Sequence, residues 1–480
     1  MTPDVIIVGA GPVGLFLACE LRLAGLRPLV FERELRRSGL SKAIGLPGRT
    51  ADYLDYRGLL DRFAARANPA GPELLRFLHF GGVPLDLSKA SVSPRGVFVL
   101  QAVTEELMEE RAQELEIEIR RGHEVIGLLE REGDVVVEVK TAHGSDKIGA
   151  AFIVGCDGGR STVRRLAHID FEGLPPTSLL RLGDVLPRRT DEDVPFLFPL
   201  GDGYFRLVTK EPLPEGFDRE SPMTLSELEE SAARVFGRPV ALQDARWLSR
   251  FTDASRQAAR YWRGRVALAG DAAHIFLPAG GPGLLTGFGD AMNLGWKVAA
   301  YLQGRASASI LESYHQERSA VGSRVLMHTR AQGLMTGAGK RAVALRDVFA
   351  EVATEPSVID RLVELLWQLD VRYPSGDADP LVGAFSPDLV ITINRRRIRI
   401  AELMHEARWL WLELEARPDL RSEIVPFGRA VQIVTGPTQT DDNSLSALLI
   451  RPDGHVAFVA RRGSPVKSPG AVIADWLQPE

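Results

Sequence analysis

Apolar positions fall along this chain in three different rhythms. Val5–Val8 is an unbroken apolar, β-branched run, the pattern of a strand buried on both faces. Leu17, Leu21 and Ala24 then recur at helical spacing up to Gly25, and a second apolar run, Pro28–Phe31, stops at Glu32. Together they predict a strand–turn–helix–strand unit. From about Arg76 the rhythm changes. LLRFLHFGGVPLDL and GVFVL read as strands of another sheet, 104–115 as a helix, and IEIRRGHEVIGLLE and VVVEVKT as strand pairs. AFIVGC (151–156) is again a buried, parallel-type strand. Residues 175–250 alternate as antiparallel strands do, with a hairpin signal in FLFPLGDGYFRLV. GRVALAG (264–270) returns the chain to the first sheet, and helices fill 287–372.

Beyond the turn-rich YPSGDADP (373–380), a third rhythm predicts a small separate α/β unit. It has a strand at LVITI, a helix over Ile400–Leu414 and strands at AVQIVTG, SALLIRP and HVAFVAR. Arg451-Pro452-Asp453-Gly454 turns the last hairpin, with proline at the second turn position and glycine at the fourth.

Composition narrows the function. A chain of 480 residues holds more than one ordinary domain. A net charge of −5 with both signs interspersed argues against a nucleic-acid or membrane-surface partner. Arg395, Arg396, Arg397 and Arg399 read as a solvated strand end or loop. Cys19 and Cys156 are far apart and in no redox or metal spacing, and the histidines form no HExxH, so neither a disulfide framework nor a metal site is expected. No run is long and apolar enough to span a membrane, and the first residues lack a signal-peptide pattern; the expected compartment is the cytoplasm.

Three fingerprints carry chemistry. In GAGPVG, Gly9 permits a tight turn, Gly11 lets backbone N–H groups reach a pyrophosphate, and Gly14 lets the helix pack close to the strand. Pro12 and Val13 open that helix, whose N-terminus favours phosphate. Glu32, 18 residues past Gly14, is placed for ribose hydroxyls. The pattern fits FAD and a nicotinamide dinucleotide equally. The second fingerprint is Cys156-Asp157-Gly158, an acid at a strand's carboxyl end, which reads equally as a ligand position or a helix N-cap region. The third is GDAAHIFLPAGGPGLLTG (270–287), where Asp271 follows a buried strand and glycines precede a helix.

These three fingerprints, with RWLSRFTDASRQAARYWRGRVALAGDAAH (246–274), IDFEG (169–173), SKAIGLPGRT (41–50) and SALLIRPDGHVAFVA (446–460), resemble the single-component, class A flavoprotein aromatic hydroxylases, in the branch that tailors aromatic polyketides. The likeness spans nearly the whole chain. It implies an α/β fold with a Rossmann-like FAD-binding domain (1–75, 101–174 and 264–375), an antiparallel-sheet substrate domain (76–100 and 175–263) and a C-terminal thioredoxin-like domain (381–480). It implies FAD, NADPH or NADH as co-substrate, O2, a C4a-hydroperoxyflavin that hydroxylates a polycyclic phenol, and a monomer or homodimer.

By the same resemblance, Gly9, Gly11, Gly14 and Glu32 hold the ADP half of FAD, with Arg33 and Lys42 nearby and the Val125 backbone by the adenine. Gln101 contacts the ribityl-phosphate side, Asp157 serves FAD and the approach of NAD(P)H, and Asp271 binds the ribityl chain. Pro278, Gly281, Pro282, Gly283, Leu284 and Leu285 pass along the isoalloxazine. His274 is read as structural. No residue stands out as a general base. Phe196, Phe198 and Phe205 are candidates for the substrate cavity, with core packing the plainer role.

One departure bears on function. Relatives carry GGQGLNTG where this chain has GGPGLLTG, so Leu285 replaces a polar amide beside the ring. Neutral drift and altered flavin handling both fit. Two other readings therefore stand beside hydroxylation: a flavoenzyme performing Baeyer–Villiger oxidation, dehydrogenation or rearrangement, and a flavin-poor non-catalytic relative.

Overall fold

The computed structural model describes every residue except 1, 70, 72–74, 76–77, 93–94, 189–196, 219–220, 338, 439–441, 464–466 and 479–480. The first unit is built as its sequence rhythm requires. Strand β1 (Val5–Val8) leads through the glycine turn into helix α1 (Pro12–Leu23) and strand β2 (Pro28–Glu32). Strands β3 (Glu118–Arg121), β4 (Phe152–Gly155) and β5 (Val266–Leu268) complete the parallel sheet. The order is β5-β4-β1-β2-β3, with Trp262–Arg263 added antiparallel outside β5. Val8 is level with Gly155 on one side and Phe31 on the other, and Gly155 with Leu268. Four strands therefore end at one edge. That register delivers Gly9, Glu32, Asp157 and Asp271, distant in sequence, to the same side of the sheet.

Two long helices follow: α2 (Pro282–Leu302) packs along α1, and α3 (Ser309–Met335) packs on α2 and donates from the Tyr314 hydroxyl to the Leu268 carbonyl of β5 at 2.6 Å. Phe16 of α1 stacks on Phe288 of α2 with ring centroids 4.5 Å apart. Among the described residues no helix is long and apolar enough to cross a membrane.

The second unit is a four-stranded antiparallel sheet ordered Leu197–Gly201, Tyr204–Pro212, Ser178–Pro187, Leu242–Thr252. The Gly-Asp-Gly hairpin forms as read, with Asp202 and Gly203 both at positive φ (53° and 76°), the turn whose twist suits a two-residue loop. Helix Leu225–Phe236 covers one face, packing Leu228 and Ala232 on Val185, Leu207 and Leu242. Paired residues share a face. Phe205 lies opposite Val185 and so faces that helix, which removes it from the candidate cavity lining. Phe198 lies opposite Arg206, itself opposite Asp184, on the other face. Phe196 lies outside the described residues.

The segment from 76 to 100 departs from expectation. Among the described residues its strands are two residues long, His79–Phe80 with Val83–Pro84 and Gly96–Val97 with Leu46–Pro47, and Leu87–Lys89 is a single 3-10 turn. Its apolar residues Phe80, Val83 and Leu85 instead pack on Met335, Leu362 and Leu366, against helices.

In the C-terminal part, the strand Val390–Ile393 pairs with Arg396–Arg399 about a turn at Asn394 and Arg395, so the basic run is the expected strand end. The helix expected over Ile400–Leu414 is corrected: it stops at Leu403, and Trp409–Glu413 is the central strand of a sheet. Beyond the Met404 cap, Ala407 takes a φ of 53°, outside helical backbone, and all five strand residues are buried, so their apolar run reflects burial on both faces. The sheet order is Val431–Thr435, Trp409–Glu413, Leu445–Ile450, Val456–Arg461, the first pair parallel and the others antiparallel.

This unit is not separate. The Arg451–Gly454 turn forms as read, Gly454 N donating to Arg451 O at 2.9 Å, but it is buried against α2 and α3. Arg451 is 3% and Asp453 1% exposed.

Candidate functional site

The glycine turn after β1 is dictated by crowding. A Cβ on Gly9, at φ 105°, would lie 2.5 Å from the Cys156 carbonyl oxygen, and one on Gly14 would overlap the Gly9 carbonyl. Gly11 differs: a Cβ there would meet nothing within 4 Å, so what keeps it small lies outside the polypeptide. Gly11 is the N-cap of α1, with Pro12 at the first helical position and no side chain capping the free N–H groups. Val13 packs against Gly270 and Gly287, so the start of α1 is pressed against both the Asp271 loop and the start of α2.

Glu32 is fixed beside this turn. Its carboxylate accepts from Ala10 N at 2.9 Å and Glu34 N at 3.0 Å. His123 N donates to the Glu32 carbonyl at 2.9 Å, which sets Val125, buried and two residues on, alongside. Arg33 is exposed and pairs with Glu34.

Lys42 and Gln101 are brought together. Gln101 N donates to Ala43 O at 3.0 Å, and Ala43 N to Gln101 Oε1 at 3.3 Å. The Gln101 amide also donates to Glu105 at 2.9 Å. Arg206 ties this loop to the antiparallel sheet: it donates to the Lys42 carbonyl at 2.7 Å and the Ser41 carbonyl, and pairs with Asp184 at 2.8 and 2.9 Å. Sequence reasoning missed Arg206; an arginine on an alternating strand carries no signal of its partner.

Asp157 uses one carboxylate oxygen as a cap and leaves the other unpaired. Oδ2 accepts from Thr162 N at 2.6 Å and Val163 N at 3.1 Å, a helix-capping role, while Oδ1 is buried with no partner. An unsatisfied buried carboxylate oxygen is costly unless a ligand hydroxyl or water meets it. Cys156 beside it has its thiol pushed far up by burial, so it supplies no thiolate. Asp271 is exposed and, among the described residues, meets no hydrogen-bond donor or cation. Two acids thus keep acceptors for something that is not protein.

The start of α2 supplies donors. The Pro278–Gly281 turn closes by Gly281 N donating to Pro278 O at 3.1 Å, with Gly280 and Gly281 at φ 81° and 69°. Gly281 is the N-cap and Pro282, which has no N–H, the first helical residue. In a regular helix the fifth N–H, here that of Leu285, is the first to point back along the helix toward the N-cap. Two N–H groups remain without intrahelical partners, Gly283 and Leu284. Gly281 and Gly283 would each meet nothing within 4 Å of an added Cβ. Pro282 therefore removes a donor only where the helix opens.

Leu285 is corrected. Its side chain is 0% exposed, buried within the protein rather than on the open side of the turn, so its isobutyl group does not replace a group facing the ring. Leu284 is half-buried against the main core. His274 is structural as read: it is 0% exposed, and its Nε2 lies 2.7 Å from Asp290 Oδ2. Burial pushes the Asp290 carboxyl up, and His274 and Arg318 outweigh it to hold the pKa low. Arg318 bonds Asp290 at 2.8 Å and the Thr286 carbonyl at 2.9 Å. Thr286, Asp290, Asn293 and Lys297, all fully buried, form one polar stripe down an otherwise apolar helix. That spacing was the available signal for residues the sequence reading passed over. Among the described residues no cluster could hold a metal ion.

The residues fit FAD. An N-terminal helix start for a pyrophosphate, a carboxylate at the neighbouring strand end for a ribose, two acids with free acceptors and two free donors share one sheet edge.

Comparison with known proteins agrees. A family model described as "FAD binding domain" matches residues 2–329, and one described as "Aromatic-ring hydroxylase, C-terminal" matches 379–479. The chain is 39% identical over 508 residues to a 12-dehydrotetracycline 5-monooxygenase/anhydrotetracycline 6-monooxygenase of Streptomyces rimosus, covering 100% of this chain and 99% of that one. It superposes on an anhydrotetracycline hydroxylase from Streptomyces rimosus with TM-score 0.91 and 38% identity over 100% of both chains. It also superposes on an aromatic hydroxylase from angucycline biosynthesis with TM-score 0.89 and 36% identity, covering 99% of each.

Proposed function

The chain belongs to the FAD-dependent aromatic-ring hydroxylases, and from that premise we propose that this monooxygenase hydroxylates a phenolic ring of a polycyclic aromatic polyketide. FAD is its cofactor, NADPH or NADH its reductant and O2 its oxidant. The observation that carries the reading is the pair of free donors, Gly283 and Leu284, at the start of a helix whose Gly287 packs against Gly270, the residue before Asp271.

Bound FAD supplies the redox and oxygen-transfer chemistry. Everything else belongs to the chain. The Gly11 turn and the α1 dipole receive the pyrophosphate, and Glu32, already held by two backbone N–H groups, offers its remaining lone pairs to a ribose. Asp157 Oδ1, which has no protein partner, and the exposed Asp271 would accept from cofactor hydroxyls. Gly283 and Leu284 N–H, fixed in advance at the start of α2, would supply hydrogen-bond donors to the part of the cofactor that gains negative charge. Gly9 and Gly14 shape the turn, Pro12 and Val13 set the start of α1, and Pro278, Gly281 and Pro282 set the start of α2. Arg33, Lys42, Gln101 and Val125 flank the cofactor, while Leu285 contributes through the core.

We take as the roof of the site the sheet face that bears Phe198, Leu180, Leu182, Val208, Trp247 and Phe251; by register it is the face of Asp184 and of Arg206, which reaches the Ser41 and Lys42 carbonyls. Its apolar, aromatic character supports a planar polycyclic substrate and the exclusion of water. We assign 1–75, 101–174 and 264–375 to the FAD unit and 175–263 to the substrate unit; the described part of 76–100 shares no sheet with 175–263 and packs on helices of the FAD unit. Residues 381–480 are thioredoxin-like, a reading supported by a sheet in which a parallel strand–helix–strand pair is followed by two antiparallel strands and a helix. With no cysteine beyond Cys156, that unit does no thiol redox work.

The Baeyer–Villiger, dehydrogenation and rearrangement readings drew on Leu285, and its burial withdraws that support. The test is the absorption spectrum of purified protein, followed by NADPH consumption across anthraquinone- and angucycline-type phenols. Flavin bands and phenol-stimulated consumption with a hydroxylated product support the reading. A protein that takes up no FAD, or a product with oxygen inserted into a ring, overturns it.

A further inference from the structure

The first turn of α2 is held by a directional chain of hydrogen bonds. Gln368 Nε2 donates to Thr286 Oγ1 at 2.7 Å, and Thr286 Oγ1 donates to the Pro282 carbonyl at 2.8 Å. A hydroxyl has one proton, so with that proton on Pro282 the Thr286 oxygen can only accept from Gln368. Thr286 is 0% and Gln368 4% exposed, so no water competes for the chain. Gln368 sits in left-handed backbone at φ 55°, a conformation unfavourable for a residue with a Cβ. It is kept there by its surroundings: Arg49 N donates to Trp367 O at 3.3 Å, and the Arg49 guanidinium to Leu369 O at 2.9 Å, on either side of it.

The Pro282 carbonyl and the Gly283 N–H belong to one peptide unit. A bond accepted at its oxygen polarises the amide and makes its N–H a better donor, because hydrogen bonds in series strengthen one another in a dry interior. We propose that Gln368 and Thr286 are positioning residues that raise the donor strength of Gly283 N–H and thereby raise the reduction potential of the bound flavin. The proposal rests on the flavin reading above. Its sign follows from charge: the reduced pyrimidine edge is negative, so a stronger donor there favours reduced over oxidised cofactor.

The test measures the midpoint potential of FAD-loaded protein by dye equilibration, beside the affinity for oxidised FAD and the melting temperature. Thr286→Val removes the link and Gln368→Met removes its source, while Thr286→Ser keeps the hydroxyl. The expected result is a more negative potential in T286V and Q368M, equivalent to a roughly two- to fourfold loss of preference for reduced FAD. T286S should match the wild type, and the double variant should shift no further than T286V, because Gln368 acts through Thr286. Should T286V fail to load FAD, Q368M alone decides. Unchanged potentials with altered melting show a merely structural role and overturn the proposal, as does a double variant equal to the sum of its parts. Wild-type protein that binds no FAD defeats the parent reading and this one together; wild-type protein that binds FAD beside variants of unchanged potential defeats only the relay.

Discussion

Arg451, in the last hairpin turn, grips Glu317 of α3 with two bonds, Nη1–Oε1 at 2.7 Å and Nη2–Oε2 at 2.9 Å. Lys297 of α2 donates to the same carboxylate at 2.6 Å, and Asp453 accepts from both Arg451 and Asn293. Two cations and two anions thus cancel in the interior, joining the C-terminal sheet to the helix that begins at the cofactor site. Arg451→Met would leave two buried carboxylates facing one lysine. It should lower the unfolding free energy by about 3–5 kcal/mol in urea titration, whereas removal of an exposed pair would cost under about 1 kcal/mol. A chain ended before residue 381 should not yield a folded FAD domain. Unchanged stability in either case contradicts the role given to this turn.

Gly11 and Gly14 should fail differently. A Cβ on Gly14 collides with the Gly9 carbonyl, so Gly14→Ala should destabilise the FAD-free protein by about 1–3 kcal/mol. A Cβ on Gly11 meets no protein atom, so Gly11→Ala should leave FAD-free melting unchanged and weaken FAD binding by about tenfold or more. Melting curves and FAD titrations of the two variants check this. Equal destabilisation by both would contradict the assignment.

Leu285→Asn places an amide in a fully buried site. Loss of apolar packing and burial of an unpaired amide should cost about 2–4 kcal/mol, with FAD reduction by NADPH unaltered at saturating cofactor. Stopped-flow reduction beside thermal melting distinguishes the outcomes; a faster or slower reduction at unchanged stability would return Leu285 to the flavin.

Local pattern made the cofactor half of the fold legible. A β-branched run, three glycines and Glu32 lie within one strand–helix–strand unit, where each residue's role follows from its neighbours in sequence. The hairpin at Asp202 and the turn at Arg451–Gly454 were legible for the same reason. What escaped depended on partners remote in the chain. Trp409–Glu413 resembles a helix until its two flanking strands bury it. From its motif alone Leu285 reads as lying beside the ring, yet side-chain direction is set by the helix, and here it is buried. Gln368 and Thr286 meet only when the helix ending at Leu366 folds back on α2.

Acid sensitivity should have an identifiable source in His328. Gly81 N donates to Gln332 Oε1 at 3.2 Å, so the Gln332 amide nitrogen, 3.1 Å from His328 Nδ1, is the donor and the neutral ring carries its proton on Nε2. Burial first, and Arg324 second, push its pKa from 6.5 down to about 4. Between those values the unfolded chain binds a proton that the folded one refuses. Stability should be full above pH 6.5 and fall as pH drops toward 4. Urea midpoints at several pH values should show this slope, and His328→Leu should flatten it. An unchanged slope in the variant contradicts the assignment.

The most direct measurement is the crystal structure of the protein soaked with excess FAD. The expected result is one isoalloxazine whose pyrimidine edge accepts from Gly283 and Leu284 N–H, with Asp157 and Asp271 against the rest of the cofactor. FAD bound elsewhere, or a crevice filled by the protein's own side chains, would contradict it.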